Sequence, residues 1–105
     1  MVFKVKYSEQ ANDDLADIIR YIGDELCNPQ AAERFYAAVN KKLDLLREHP
    51  YMFPLHRDEK LNAEGIRFTI IGNYLMLYLV DDESSVVNIT RILYGKRDMS
   101  SVFEK

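Results

Sequence analysis

Hydrophobic positions along this chain switch between a period of two and a period of three to four, and each switch marks an element. Phe3, Val5 and Tyr7 alternate with Lys4 and Lys6, the pattern of a half-buried strand. Ser8 is placed to cap a helix, and Ala11, Leu15, Ile18, Ile19, Ile22 and Leu26 then recur at helical spacing. The opposite side of that helix carries Asp13, Asp14, Asp17 and Asp24, which read as a solvated face. Gly23 loosens its end. Asn28 and Pro29 open a second helix, with Asn as the cap and Pro at the first helical position. It runs toward Glu48 with Ala32, Phe35, Val39, Leu43 and Leu46 as its buried stripe, while Lys41, Lys42 and Arg47 suit the negative end of its dipole. The link between the helices is very short, so they should pack as an antiparallel hairpin.

From Glu48 to Gly65 the periodicity stops, and two prolines mark a long connection. Three strand-like runs follow, IRFTI, YLMLYLV and VVNITRILY, separated by turns at Gly72-Asn73 and at residues 81–85. A two-residue turn at Gly72-Asn73 sets Ile71 opposite Tyr74, Thr69 opposite Met76 and Arg67 opposite Tyr78. Ile66, Phe68, Ile70, Leu75, Leu77 and Leu79 then share one wholly apolar face, which is expected to meet the helices. Arg67, Thr69, Tyr74, Met76 and Tyr78 are expected on the open face. The last strand has no uniformly polar side, so its pattern leaves Arg91 without a face, and a bulge would decide the matter. The expected fold is a single α+β domain over residues 1–105, in the order β-α-α-β-β-β, with a helical hairpin packed on an antiparallel sheet.

Composition narrows the functional classes. Of 105 residues, 48% are hydrophobic and 30% charged, values of a chain that folds around one core. No apolar run reaches the ~20 residues that span a bilayer, and the first residues lack a signal peptide's apolar block, so a cytoplasmic protein without membrane contact is expected. Cys27 is the single cysteine, and neither His49 nor His56 shares a metal-ligand spacing with it. No metal and no cofactor are expected. The net charge is -3, yet residues 1–40 carry four cations against seven anions, whereas residues 41–105 carry ten of each. The second half is therefore free to hold a local basic patch. That patch is concentrated in RILYGKRDMSSVF, where Arg91, Lys96 and Arg97 follow one another closely. With Arg67, Tyr78 and Tyr94 they form a candidate binding set, because guanidinium groups pair with phosphate and phenol rings stack on bases. The plainer reading is that Arg67 and Arg91 pack their stems, and that Lys96 and Arg97 end an edge strand.

The first-helix run SEQANDDLADIIRYI, NPQAAERF at the second helix, GIRFTIIGNYLMLYLV and above all ITRILYGKRD resemble, in that order and over nearly the whole chain, the RelE/ParE superfamily of toxins from type II toxin-antitoxin modules, and ParE more closely. The resemblance implies a growth-inhibiting, plasmid-stabilising toxin silenced by a cognate antitoxin. It also implies two alternative targets: ParE-like members inhibit DNA gyrase, and RelE-like members cut mRNA on the ribosome without a metal. Metal-free cleavage needs a base for the 2′-OH, cations for the phosphorane and an acid for the leaving oxygen. Setting the chain against the nuclease pattern puts Arg97 on a phosphate-binding arginine, but Phe103 where a tyrosine stands and Leu75 where an arginine stands. Arg67 matches one strand lysine, and Thr69 replaces the other.

His56 and Glu59 are the substitutes considered for acid-base work, with His49 and the terminal Glu104 less well placed. No catalytic residue is assigned. The expectation is a ParE-like gyrase inhibitor, with a ribosome-dependent nuclease or an inactive antitoxin-binding module as alternatives. The antitoxin's expected receptors are the helix-hairpin groove and the Arg67/Tyr78 face.

Overall fold

The computed structural model describes residues 2–95, so Lys96, Arg97, Phe103 and Glu104 lie outside the described residues. The chain runs β1 (Lys4–Tyr7), α1 (Glu9–Arg20), a π-helical turn (Tyr21–Glu25), α2 (Pro29–Glu48), α3 (Glu59–Ala63), β2 (Arg67–Ile71), β3 (Tyr74–Asp81) and β4 (Val86–Tyr94). The sheet order is β1-β4-β3-β2. β2, β3 and β4 form the expected antiparallel meander, but β1 lies parallel to β4, with Lys4 beside Val86 and Tyr7 beside Ile89. The sheet is therefore mixed. A parallel pair needs a long crossover, and the helices with the β2–β3 hairpin supply it between β1 and β4.

Local signals placed the helices where the periodicity predicts. The Ser8 hydroxyl accepts the Ala11 N–H at 3.0 Å, and Asn28 Oδ1 accepts the Ala31 N–H at 3.0 Å with Pro29 just inside the helix. α1 does not keep its period through Leu26. It widens into the π-helical turn, and Leu26, expected in the buried stripe, is 55% exposed. Cys27 then takes a left-handed conformation at φ 51° to reverse the chain into α2. A non-glycine residue there is held by local hydrogen bonds, its N–H donating to the Asp24 carbonyl at 3.3 Å.

The hairpin register is the expected one: Arg67 opposes Tyr78, Thr69 opposes Met76 and Ile71 opposes Tyr74, with Gly72 left-handed at φ 59°. The face assignment, however, is reversed. Leu15 and Ile18 of α1, and Phe35, Val39 and Leu46 of α2, pack on Ile71, Met76, Tyr78, Val87, Ile89 and Ile92. Met76 and Tyr78 are wholly buried and Thr69 nearly so, whereas Ile70 of the other face is 59% exposed. Leu75, expected in the core, is only half-buried on that far face. The reason is that both faces are apolar enough to be covered. The Tyr78 hydroxyl loses its only objection to burial by donating to the Pro50 carbonyl at 3.0 Å.

The far face is covered in part by α3, which the long connection concealed. Asp58 caps it by accepting the Leu61 N–H at 3.0 Å, and Leu61, Ile66 and Leu77 form a second small cluster with Phe68, Leu79 and Leu93.

Burial pushes the Tyr78 phenol up to about 12, while in the unfolded chain it ionises near 10. Unfolding therefore releases a proton between those values, and stability falls as pH rises through that window. Tyr78→Phe should cost about 1 kcal/mol at neutral pH from the lost hydrogen bond. It should also shallow the alkaline decline, read as urea midpoints between pH 9 and about 12; an unchanged slope would count against this burial.

Candidate functional site

β1 stops opposite Ile89, and beyond it the outer edge of β4 is taken over by α1. The Ser8 N–H donates to the Ile89 carbonyl at 2.9 Å, and the Ser8 hydroxyl to the Thr90 carbonyl at 2.8 Å. At this point β4 carries a bulge: Leu77 faces Arg91 while the next β3 residue, Tyr78, faces Ile89, so Thr90 is the extra residue. The Thr90 hydroxyl donates back to the Leu77 carbonyl at 3.2 Å.

The bulge settles where Arg91 goes. Its Nε donates to Asp14 Oδ2 at 2.8 Å and its Nη2 to Asp14 Oδ1 at 3.1 Å, a forked pair, and Asp14 Oδ2 also accepts the Ile92 N–H at 3.0 Å. Hydrogen bonding to Asp14 raises the Arg91 pKa further above its ordinary value. Asp14 thus departs from the solvated acidic face expected of it, whereas Asp13, Asp17 and Asp24 are exposed. Its signal was present in the sequence. Asp14 stands three residues after Ala11 and four before Ile18, on the flank of the buried stripe.

Arg67 is likewise engaged. It starts β2 at the end of the sheet where residues 50–55 cross, and its Nη1 donates to the Phe53 carbonyl at 2.7 Å. Its guanidinium lies 4.9 Å from the centre of the Tyr51 ring. Tyr51 in turn donates to Asp82, a bond that raises its phenol pKa, and Lys42 sits 5.0 Å from the centre of the Phe53 ring. The connection is a strap fastened at several points.

His56 is buried in that strap. Its Nδ1 accepts the Asp58 N–H at 2.9 Å, and its ring meets Phe68 edge-on at 5.4 Å. It therefore orders the entry to α3. Glu59, in the first turn of α3, is exposed.

The four described residues of the candidate binding set, Arg67, Tyr78, Arg91 and Tyr94, do not share one surface. Tyr78 is buried beneath the helices, which removes it as a stacking platform. Arg67 and Tyr94 stand at opposite ends of the sheet, because Arg67 aligns with Tyr78 and Ile89, whereas Tyr94 aligns with Tyr74 and Ile71. Tyr94 is 40% exposed at the end of an aromatic row, 5.5 Å from Tyr74, which is 5.1 Å from Phe35. Tyr21 and Leu26 of the hairpin tip join Tyr74 and Tyr94 around a cavity of about 530 Å³. Lys96 and Arg97, which follow Tyr94 and Gly95 in the chain, lie outside the described residues.

On the far face a cavity of about 390 Å³ opens beside the bulge, lined by the aliphatic Leu61, Ile66, Leu77 and Leu79 and by the polar Gln10, Lys60, Glu64, Thr90 and Arg91. A shallower apolar depression of about 290 Å³ lies on the helical hairpin among Ile19, Ala32, Glu33 and Tyr36. Among the described residues no three His, Cys, Asp or Glu side chains converge to hold a metal, and no helix is long and apolar enough to cross a membrane.

Residues 5–99 match the family of the ParE toxin of the type II toxin-antitoxin system, parDE. The chain belongs to the ParE toxin family. Solved structures agree with the membership. A chain of the RelBE2 toxin-antitoxin complex from Mycobacterium tuberculosis is 26% identical at a TM-score of 0.62, covering 90% of this chain and 99% of that one. A chain of the chromosomal ParDE system of P. aeruginosa reaches a TM-score of 0.68 at 15% identity, with 89% and 96% covered. The archaeal RelE-RelB complex from Pyrococcus horikoshii OT3 contains a chain with a TM-score of 0.58 at 18% identity, with 93% and 100% covered. No curated protein sequence matches. The ParE-family fold is thus shared with both branches of the superfamily, and an antitoxin partner is supported.

Because one carboxylate of this ParE-family chain accepts three hydrogen bonds, Asp14→Ala should lower stability by about 2 to 3 kcal/mol. Asp14→Asn, which keeps an acceptor for the Ile92 N–H, should recover part of that loss. Denaturant midpoints of the two variants check the ordering, and equal midpoints for Asp14→Ala and the parent would contradict it.

Proposed function

We propose that this toxin acts by binding DNA gyrase and blocking supercoiling, and that its cognate antitoxin holds it silent. The observation that carries the reading is the use to which the fold puts its two described candidate arginines. Arg91 is paired with Asp14 and Arg67 is spent on the carbonyls of the strap. Both act as ties within the molecule: Asp14 occupies the Nε and Nη2 fork of Arg91, and the Phe53 carbonyl holds Nη1 of Arg67. His56 supports the same reading, since its Nδ1 is engaged in ordering α3. In the sequence, Phe103 and Leu75 stand where the nuclease pattern has a phenol and a guanidinium.

A binding toxin needs surface and not proton transfer. The exposed Tyr94, with Lys96 and Arg97 just after it in the chain, is the part of the candidate set best suited to contact a large target. Ribosome-dependent mRNA cleavage is the second reading, favoured by the 26% identity to a chain of the RelBE2 complex.

Purified toxin should inhibit ATP-dependent supercoiling by gyrase while leaving mRNA whole on translating ribosomes. Arg97→Ala should weaken that inhibition by about tenfold or more, as expected for loss of a charged interface contact. Codon-register cleavage of mRNA with undisturbed supercoiling would refute the gyrase reading and install the second one.

A further inference from the structure

We propose that Gly95 is a positioning residue for target binding: because it has no side chain, the end of β4 can clamp onto the β2–β3 turn, and the clamp fixes the point from which Lys96 and Arg97 follow. The inference rests on the reading of Tyr94, Lys96 and Arg97 as the target contact, and not on which target they meet.

The reason for a glycine here is space. Gly72, in the turn below, is needed for its left-handed φ of 59°, and nothing lies near the place a Cβ would take. Gly95 is the reverse case. Its φ is not left-handed, but an added Cβ would stand 3.2 Å from the Asn73 carbonyl oxygen and 3.2 Å from Leu75 Cγ. Carbon atoms pack best at roughly 3.5 to 4.0 Å, so any side chain would push the backbone away from the turn.

The close approach makes one bond possible. The Gly95 N–H donates to the Asn73 carbonyl at 2.7 Å, one residue beyond Tyr74 and Tyr94, the last pair of β3 and β4. The end of the strand is thereby gripped on both faces. Leu75 backs Gly95 on the far face, while on the helix side the Tyr94 ring rests edge-on against Tyr74, and Tyr74 against Phe35. The core does not need this grip, since Gly95 follows the last strand and neither it nor Tyr94 belongs to either buried cluster.

The effect falls on what comes next. Each residue spans at most ~3.6 Å, so the Cα atoms of Lys96 and Arg97 start within about 7 Å of Gly95. Their origin therefore sets their distance from Tyr94 and from the recess it shares with Tyr21, Leu26, Asn73 and Tyr74. Cations that must meet a partner in register with an aromatic anchor lose affinity when that origin shifts.

The test is a double-mutant cycle read as supercoiling inhibition and as growth arrest on induction, with denaturant midpoints for every variant. Gly95→Ala should weaken inhibition by about tenfold while its midpoint stays at the parental value. In a Leu75→Ala background the new methyl group finds room on the far face, and the same substitution should cost about threefold or less. Hydrogen exchange supplies a third readout: the amide at position 95 should lose protection in Gly95→Ala and regain it in the double variant. Parental inhibition by Gly95→Ala would overturn the proposal. So would a loss that tracks a falling midpoint, which marks a merely structural glycine, or a loss of equal size in both backgrounds, which removes Leu75 as the opposing wall. Growth arrest is scored beside supercoiling so that the two failures separate: a parent that arrests growth without touching gyrase loses the gyrase reading, and the Gly95 cycle is then decided on growth.

Discussion

The Asp14 carboxylate holds together the part of the fold where regular pairing runs out. β1 is only four residues long, and past Tyr7 no strand among the described residues lies beside that edge of β4. Exposed strand edges are unstable and invite pairing with other chains. Here the first turns of α1 substitute for the missing strand, with Ser8 taking the carbonyl side and Asp14 the N–H side of β4. The forked pair with Arg91 adds a charge to that substitution and stops the bulged residues from slipping. Helix position, bulge position and the shape of the far face all follow from this one junction.

The junction also explains what was legible in the sequence. Features set by neighbouring residues could be read: the Asn28-Pro29 helix start, the stripe from Ala32 to Leu46, and a hairpin register dictated by Gly72-Asn73. Features set by residues distant in the chain could not. Asp14's place on the flank of the buried stripe was legible, but its partner Arg91, far along the chain, was not. α3 carries a single buried residue, Leu61, too little to show a period. The most instructive failure is the sheet face. Residues 68, 70, 75, 77 and 79 are uniformly apolar and residues 67, 69, 74, 76 and 78 are not, yet the mixed set is buried by the helices. Hydrophobicity per position was a poor guide because the phenol of Tyr78 finds a carbonyl and Arg67 escapes past the end of the sheet.

With the faces exchanged, the functional picture changes in kind. The expected cluster of arginine and tyrosine on one surface is replaced by separate uses. Two guanidinium groups brace the fold, one phenol is core, and the remaining aromatic, Tyr94, stands at the hairpin tip. Chains from a RelBE2 complex and a ParDE system both share this scaffold, so the fold by itself does not choose between the two targets.

The crossover that makes the sheet mixed bears on the order in which the molecule can assemble. Lys4 pairs with Val86, and the centre of the core is β4, flanked on both sides by other strands. During synthesis β1 and both long helices emerge well before the strand they must embrace, and they have no complete surface to settle on until it arrives. The sheet therefore cannot close until Val86–Tyr94 has been made, whatever has been synthesised before it.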